Sequence, residues 1–279
     1  MTDRPTPLPA PTVDTGAGSA RVPSIAVQLW RHRRLLGWLA RTNFAMRYRG
    51  AAFGLAWAVL VPLVQAGILV VVFSRVGGLH SVEDYALYVI GGTVWWSYFS
   101  QSVASGGVAI VAGGEFVDKL WFPRVLLPIV APLANLVQLV ITAVLVVAIA
   151  AFRTGLPGWR LLLLVPLAVL LLLLASVIAS LGALGHAWYR DVGHAIPVLL
   201  TLGFYVTPVI YEPGALGDIG RLLAWNPVGG LLDLGRAAVS ATQPIAWRGL
   251  GVALGAIAVG WLLVEWAYRR YDHDVADLL

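Results

Sequence analysis

Apolar runs without charged residues fill most of the chain. A bilayer core about 30 Å thick needs about 20 apolar residues in helical form. Only helices and closed barrels can satisfy their backbone hydrogen bonds in lipid. The pattern therefore predicts an all-α membrane protein with six transmembrane helices in one domain, residues 50–270. The predicted spans are about 50–74, 86–112, 125–152, 161–185, 195–211 and 249–268.

The segment before the first span, residues 25–49, has a different pattern. Apolar residues recur at helical spacing while arginines occupy another face. The apolar residues are Ile25, Leu29, Leu36, Leu39 and Met46. This arrangement predicts a basic amphipathic helix on the membrane surface, the alternative being a solvated lead-in to the first span. Residues 1–24 lack the apolar core of a cleaved signal and are expected to be a disordered tail. Residues 271–279 are expected to be a cytoplasmic tail.

Residues 212–248, before the last span, are too apolar for an ordinary loop. Two apolar pieces, 215–225 and 228–241, meet at Asn226-Pro227, and each is too short to span a bilayer. They predict a re-entrant or interfacial helix pair. We expect four charged side chains to keep the pair near water: Asp218, Arg221, Asp233 and Arg236.

The distribution of positive charge orients the helices. With a cytoplasmic N-terminus, thirteen of the 19 Lys and Arg residues fall in predicted inner segments, which agrees with the positive-inside rule. Both termini are therefore predicted to be cytoplasmic, in a bacterial inner or plasma membrane. The net charge of +5 and the pI near 9.8 favour contact with anionic lipid head groups over nucleic acid, because the arginine cluster adjoins a span.

The chain offers little chemistry of its own. It has no cysteine, five scattered histidines and one lysine, Lys119, without a glycine-rich phosphate loop before it. We therefore expect no metal site, no bound cofactor and no catalytic residue, and a transport subunit whose energy source lies elsewhere. The strongest polar groups inside the spans are amides, which we expect to bridge helices rather than bind ions. These amides are Gln65, Gln101, Asn135 and Gln138.

Charged residues return between Gly113 and Arg124, just before the third span. Pro123 predicts a short helix that stops at Phe122, with a polar face and several aromatic side chains. Such a helix is typical of a docking element for a partner, and a turn with snorkelling side chains is the alternative. The candidate contacts are Glu115, Phe116, Asp118, Lys119, Trp121, Phe122 and Arg124.

Several short motifs, in this order and within a six-span frame, resemble the type-2 ABC transporter permeases that export lipid-linked polysaccharides. Ala51 and Thr207 stand where serine is usual in that family, and neither departure disturbs the resemblance. The motifs are Arg47-Tyr48-Arg49-Gly50 with Gly54-Leu55, Trp57 and Pro62; Lys119-Leu120-Trp121-Phe122-Pro123-Arg124 with Pro128; Tyr189-Arg190-Asp191-Val192; Thr207-Pro208-Val209-Ile210-Tyr211; and Asn226-Pro227.

The resemblance implies a homodimer in which each subunit binds a cytoplasmic ABC ATPase through the segment before the third span. The ATPase would bind ATP and Mg, and this chain would bind neither. The substrate would be a polyprenyl-pyrophosphate-linked glycan such as O-antigen, teichoic acid or galactan. Its pyrophosphate is expected to meet the basic helix, because arginine pairs bidentately with phosphate. The arginines concerned are Arg31, Arg34, Arg41, Arg47 and Arg49.

Aromatic residues within or at the ends of the spans are candidates for a pore lining, because flat rings can contact sugar C–H surfaces without holding a residue in place. Membrane belts and core packing are the alternative explanation. Phe204, Tyr205 and Tyr211 belong to this wider group. We expect the lining to be formed by Phe53, Trp57, Trp95, Trp96 and Tyr98.

Two other functions stay open. A type-2 permease for a drug or lipid should lack the arginine-rich front helix and so many pore aromatics. A membrane glycosyltransferase or polymerase should carry clustered carboxylates on one membrane face. The inner face offers only isolated ones, at Glu115, Asp118 and Asp191.

Overall fold

The computed structural model describes residues 24–49, 53–54, 56–73, 84–113, 123–155 and 157–277. Within these ranges every regular element is helical. Short 3-10 turns, Arg124–Leu126 and Gly158–Leu163, lead into α6 and α7, and Pro213–Leu216 precedes α9. The α-helices are α1 (Ile25–Arg31), α2 (Arg33–Tyr48), α3 (Ala56–Phe73), α4 (Tyr85–Gly106), α5 (Ala109–Ala112), α6 (Leu127–Arg153), α7 (Leu164–Trp188), α8 (Asp191–Val206), α9 (Gly217–Leu223), α10 (Pro227–Val239) and α11 (Trp247–Asp277).

Four helical segments among the described residues are long and apolar enough to cross a membrane. They are Ala56–Phe73, Arg124–Arg153, Gly158–Trp188 and Trp247–Arg270, and they coincide with four of the predicted spans. The other two predicted spans contain helices of different character, since α4 is richer in polar residues and α8 has 16 residues. That all six cross the bilayer stays a prediction.

The ends of α4 and α8 differ from the prediction for local reasons. The segment predicted as 86–112 divides into α4 and α5, because the chain leaves the α4 helix at Gly106-Gly107. A Cβ atom at Gly106 would collide with the carbonyl of Pro128, so this position needs glycine. The helix α8 ends at Val206 rather than at residue 211, because Thr207 precedes a proline and adopts an extended conformation.

The helix α4 lies at the centre of the bundle, where it packs against α3, α6, α7, α8 and α10. Its buried residues include Trp95, Tyr98 and Phe99, and they form the main hydrophobic core with side chains of α6, α7 and α10. Protein rather than lipid therefore covers most of α4. This position explains how a helix with many serine and glycine residues can occupy the middle of an apolar bundle.

The predicted amphipathic segment forms two helices, α1 and α2, with a break at His32. Ile25 and Leu36 are buried in a second core with residues of α5, α6, α7 and α11, and the backbone N–H of Ile25 donates to Glu265 Oε2 at 2.9 Å. Met46, predicted on the apolar face, is exposed. The location of these helices at a membrane surface stays a prediction.

The predicted helix pair before α11 consists of α9 and α10, which we call the α9–α10 pair. Asn226 caps α10, because its Oδ1 accepts from the backbone N–H groups of Val228 and Gly229 at 3.0 and 3.3 Å. The two helices differ sharply in burial: α9 is largely exposed, while α10 packs against α4, α7 and α11. The expectation that Arg236 stays near water is wrong, since this residue is 2% exposed.

Candidate functional site

An open groove of about 370 Å³ lies between α3, α4 and α8, and we call it the α3/α4/α8 groove. It combines polar and aromatic side chains. No charged residue lines it among the described residues. Its lining consists of Gln65, Leu69, Trp96, Ser97, Ser100, Gln101, Ala104, Pro197, Leu200, Thr201, Phe204 and Tyr205.

The polar wall of the groove comes mainly from α4, which presents Ser97, Ser100 and Gln101 on one face. Gln101 Nε2 donates to Ser97 Oγ at 2.9 Å, and Ser100 Oγ donates to the Ser97 carbonyl at 3.2 Å. On α8, Thr201 Oγ1 donates to the Pro197 carbonyl at 2.9 Å. Hydroxyl and amide groups are costly to leave in lipid. A wall of this kind therefore suits contact with water, a polar substrate or another protein chain.

The aromatic wall of the groove joins α4 to α8. The rings of Trp96 and Phe204 lie 6.1 Å apart at 71°, and those of Phe204 and Tyr205 lie 5.4 Å apart at 88°. Both are edge-to-face arrangements, which aromatic pairs prefer. Gly203 permits this approach, because a Cβ atom there would lie 3.1 Å from the Trp96 ring. The groove thus has one face of rings and one of hydroxyl and amide groups.

The structure divides the five aromatic residues predicted to line a pore. Trp96 lines the groove, whereas Phe53 and Trp57 are exposed at the start of α3, with rings 5.8 Å apart. Trp95 and Tyr98 are each 1% exposed, and the Tyr98 hydroxyl donates to the Pro132 carbonyl at 3.0 Å. Both rings are packed inside the bundle in this arrangement of the helices, so their part in a pore lining stays a prediction.

The sequence-based prediction of a pore lining includes no residue of α8, although this helix forms one wall of the groove. Phe204 and Tyr205 belong to the wider aromatic group but not to the five residues predicted to line a pore, and Thr201 belongs to neither set. The available signal was the spacing of Pro197, Thr201, Phe204 and Tyr205, which places these residues on one helical face.

The five arginines predicted to meet a pyrophosphate are exposed, and one of them also makes specific contacts within the bundle. Arg47 Nη1 donates to Asn135 Oδ1 at 2.6 Å and Nη2 donates to Ser105 Oγ at 3.4 Å. Asn135 Nδ2 donates in turn to Ser102 Oγ at 3.0 Å. Arg47 therefore connects α2 with α6 and α4. Its partners are neutral, and no carboxylate of the described residues forms an ion pair with it.

The four amides within the spans have two kinds of environment. Asn135 and Gln138 bridge helices as predicted, since Gln138 Nε2 donates to the Ala58 carbonyl at 3.2 Å and Asn135 links Arg47 to Ser102. Gln65 and Gln101 line the groove instead. The predicted helix-bridging role therefore holds for two of these residues.

Most of the predicted docking segment lies outside the described residues: Glu115, Phe116, Asp118, Lys119, Trp121 and Phe122. Arg124 is described, and it begins the 3-10 turn that leads into α6.

Comparison with known proteins assigns the chain to a family. Residues 34–236 match the family model of ABC-2 type transporters, which is more than half of the chain. The chain belongs to the ABC-2 type transporter family. The matched region runs from α2 to α10 and so includes the whole α3/α4/α8 groove. As an ABC-2 type transporter with four long apolar helices, the chain is a multi-pass membrane protein.

A curated relative of this ABC-2 type transporter is the O-antigen export system permease protein RfbA of Myxococcus xanthus. The two chains are 27% identical over 208 residues, which are 74% of this chain and 80% of the relative. The similarity therefore extends over most of both proteins.

Proposed function

We propose that this chain is the permease subunit of an ATP-driven exporter that moves a polyprenyl-pyrophosphate-linked polysaccharide from the cytoplasm across the inner or plasma membrane. The observation that carries the proposal is the α3/α4/α8 groove, whose polar and aromatic lining lies within a bundle of apolar helices. The similarity to a permease of O-antigen export over most of the chain supports the same substrate class.

The chemistry of the groove suits a glycan. Sugar hydroxyls can exchange hydrogen bonds with Ser97, Gln101 and Thr201, while the rings of Trp96 and Tyr205 can contact C–H faces of the sugars. No charged residue among the described lining would hold one sugar strongly. A polymer that must slide needs many weak contacts of this kind, so the composition favours passage over tight binding.

The groove is open on one side, and we propose that a second copy of the chain closes it into a pore. The helices α3 and α8, which flank the groove, carry exposed apolar residues such as Val64 and Ile68 on α3 and Val198 and Leu202 on α8. A two-fold axis beside these helices would pair the polar walls of two subunits across a shared channel.

The lipid-linked end of the substrate is proposed to meet Arg47 first. Among the described residues its guanidinium bonds the neutral acceptors Asn135 and Ser105 and forms no ion pair, so we propose that its charge is available to an anion. Arginine binds phosphate through parallel N–H···O bonds. Arg31, Arg34, Arg41 and Arg49 would extend this positive surface along α1 and α2 and beyond.

The energy for export would come from a separate ABC ATPase, because membership of an ABC family implies such a partner in general. We propose that it binds ATP and Mg and docks on the segment 113–124, with both termini of this chain on the same cytoplasmic side. The chain itself would make or break no bond in the substrate.

The proposal is tested by reconstituting the chain with its ATPase in proteoliposomes. We expect a polyprenyl-pyrophosphate-linked glycan to stimulate ATP hydrolysis and to become accessible on the opposite face of the membrane to a glycan-binding protein. The unglycosylated polyprenyl pyrophosphate and a set of apolar drugs serve as controls. Stimulation by a drug or a phospholipid, with none by the linked glycan, would overturn the proposed substrate class.

A further inference from the structure

Arg236 on α10 is a buried charge with an unusually complete set of partners. Its Nη1 pairs with Asp233 Oδ1 at 2.9 Å, and its Nη2 donates to the carbonyls of Pro208 and Val209, both at 2.8 Å. The guanidinium also lies over the Tyr88 ring, 3.5 Å from its centroid. A buried guanidinium is tolerated only when its donors are satisfied in this way.

The two carbonyls that Arg236 binds belong to the broken end of α8. The helix stops at Val206, because Thr207 precedes a proline. The carbonyls of Pro208 and Val209 lie beyond the helix end, and buried carbonyls without donors are destabilising. A planar guanidinium can donate in several directions at once, whereas a lysine ammonium cannot reproduce its fork. Arginine at position 236 therefore suits the two carbonyls beyond the end of α8.

The neighbouring helix α4 is adapted to the same contact. A Cβ atom at Gly92 would lie 2.6 Å from Arg236 Nη2 and 2.7 Å from the Val209 carbonyl oxygen, so only glycine leaves room there. One turn away, the Tyr88 backbone carbonyl accepts from Arg236 Nε at 3.4 Å. Arg236 therefore joins three elements: α10, α4 and the segment after α8.

A second contact joins the same two regions. Asn226, which caps α10, donates from Nδ2 to Thr207 Oγ1 at 2.9 Å. The hydroxyls of Tyr85 and Tyr88 on α4 donate to the carbonyls of Ile210 and Tyr211, each at 2.9 Å. The segment 207–211 is thereby held between α4 and α10. It continues directly from α8, the helix that supplies the aromatic wall of the groove.

We propose that Arg236 is a positioning residue that couples α10 to the groove helix α8, so that α10 and the groove wall move as one unit during export. This inference rests on the proposed function for its link to export. The coupling itself is a property of the subunit. Movement of α8 would be transmitted to α10 by the guanidinium, which bonds the Pro208 and Val209 carbonyls, together with the Asn226–Thr207 hydrogen bond.

The test uses the natural absence of cysteine from the chain. Spin labels are placed at Leu199 on α8, which does not line the groove, and at Ala241 after α10. Both residues are exposed, and labelled subunits are diluted with unlabelled ones. We expect one narrow distance between the labels with and without ATP in the complex with the ATPase. Arg236→Lys should broaden that distribution, while the matched control Arg221→Lys on α9 should leave it unchanged.

A second readout separates coupling from mere stability. At matched amounts of assembled complex, Arg236→Lys should lower the glycan exported per ATP hydrolysed by about fivefold or more, whereas a purely structural role would lower both in proportion to the loss of complex. If Arg236→Lys does not accumulate, Arg236→Gln and Asp233→Asn replace it. Unchanged label distances together with an unchanged export per ATP would overturn the coupling.

Failure of the coupling and failure of the proposed function are distinguishable. The label distances need no glycan, so they report on the coupling even if the wild-type complex exports none. Absence of export by the wild-type complex would refute the proposed function, while a broadened distance in Arg236→Lys alone would still support the mechanical link.

Discussion

The α9–α10 pair contains the same tetrapeptide pattern twice, in two opposite surroundings. Asp218-Ile-Gly-Arg221 lies on α9 and Asp233-Leu-Gly-Arg236 lies on α10. The two ion pairs have nearly the same length, 3.0 and 2.9 Å, but the arginine side chains are 84% and 3% exposed. The first arginine is a solvated surface group and the second organises three elements. The two arginines therefore have different structural roles, although their tetrapeptides follow the same pattern and their ion pairs have nearly the same length.

The glycines of α10 account for its burial. A Cβ atom at Gly230 would collide with the backbone of Gly249 on α11, and one at Gly235 would collide with the Trp95 ring on α4. Small residues of this kind let helices approach closely in membranes. In α9 a Cβ atom at the corresponding Gly220 would collide with the carbonyl of Pro213, in the 3-10 turn that precedes this helix. The two tetrapeptides therefore differ in what their glycines pack against, and this packing distinguishes the buried arginine from the exposed one.

The largest expected difference between the two arginines is tested by replacing each in turn. Arg236→Met leaves two carbonyls without a donor and Asp233 without its partner, so the free energy of unfolding should fall by about 3–5 kcal/mol. Arg221→Met should change it by about 0–1 kcal/mol. Equilibrium unfolding in mixed micelles measures both. Equal losses would show that burial does not distinguish the two arginines.

The role of glycine in burying α10 is tested next. Gly230→Ala forces a methyl group into the Gly249 backbone, so we expect a loss of about 1–3 kcal/mol. The control is Gly255→Ala on α11, where no atom lies within 4 Å of the added Cβ; it should be neutral. The same unfolding assay applies. A neutral Gly230→Ala variant would mean that α10 can move away without cost.

A smaller difference of the same kind is expected between two arginines of α2, one held by contacts within the bundle and one exposed. Arg47 is held by Asn135 and Ser105, whereas Arg34 is exposed and has no ion pair among the described residues. Arg47→Gln should raise the concentration of linked glycan that half-stimulates ATP hydrolysis by about tenfold. Arg34→Gln should raise it less, and its effect should disappear at high ionic strength. Equal, salt-sensitive effects would make Arg47 an ordinary member of the basic surface.

The smallest expected effect is on the rate of export, when a tryptophan in the groove and an exposed tryptophan are each replaced. Trp96 lies in the groove, and Trp159 is exposed in the turn before α7. Trp96→Leu keeps apolar bulk but removes a flat ring, so export should slow by about twofold to tenfold, in line with about 0.5–1.5 kcal/mol for an aromatic contact. Trp159→Leu should export normally. The rate is measured at equal amounts of assembled complex, and equal rates would exclude Trp96 from sugar contact.

The sequence predicted the helices well because lipid demands long apolar runs, and it predicted the helix-bridging Asn135 and Gln138 because buried amides need partners. It did not separate Trp95 from Trp96, since depth along a helix does not tell which face meets the groove. It could not distinguish Arg236 from Arg221, because the Pro208 and Val209 carbonyls lie 28 and 27 residues away in the chain. The groove combines residues from three helices, and the hydropathy pattern predicts each helix but not which helices pack together.

The central position of α4 has a consequence for how the chain enters the membrane. This helix is not among the four that are apolar enough to cross a bilayer alone, and its neighbours come from both earlier and later parts of the chain. We expect α4 to insert poorly by itself and efficiently when α3 precedes it, as a helical hairpin that is completed once α6 arrives. A glycosylation-tag assay on α4 alone, on α3 with α4, and on α3 through α6 would show stepwise insertion. Biogenesis of this protein would then depend on cooperation between α4 and neighbouring helices that are apolar enough to insert by themselves.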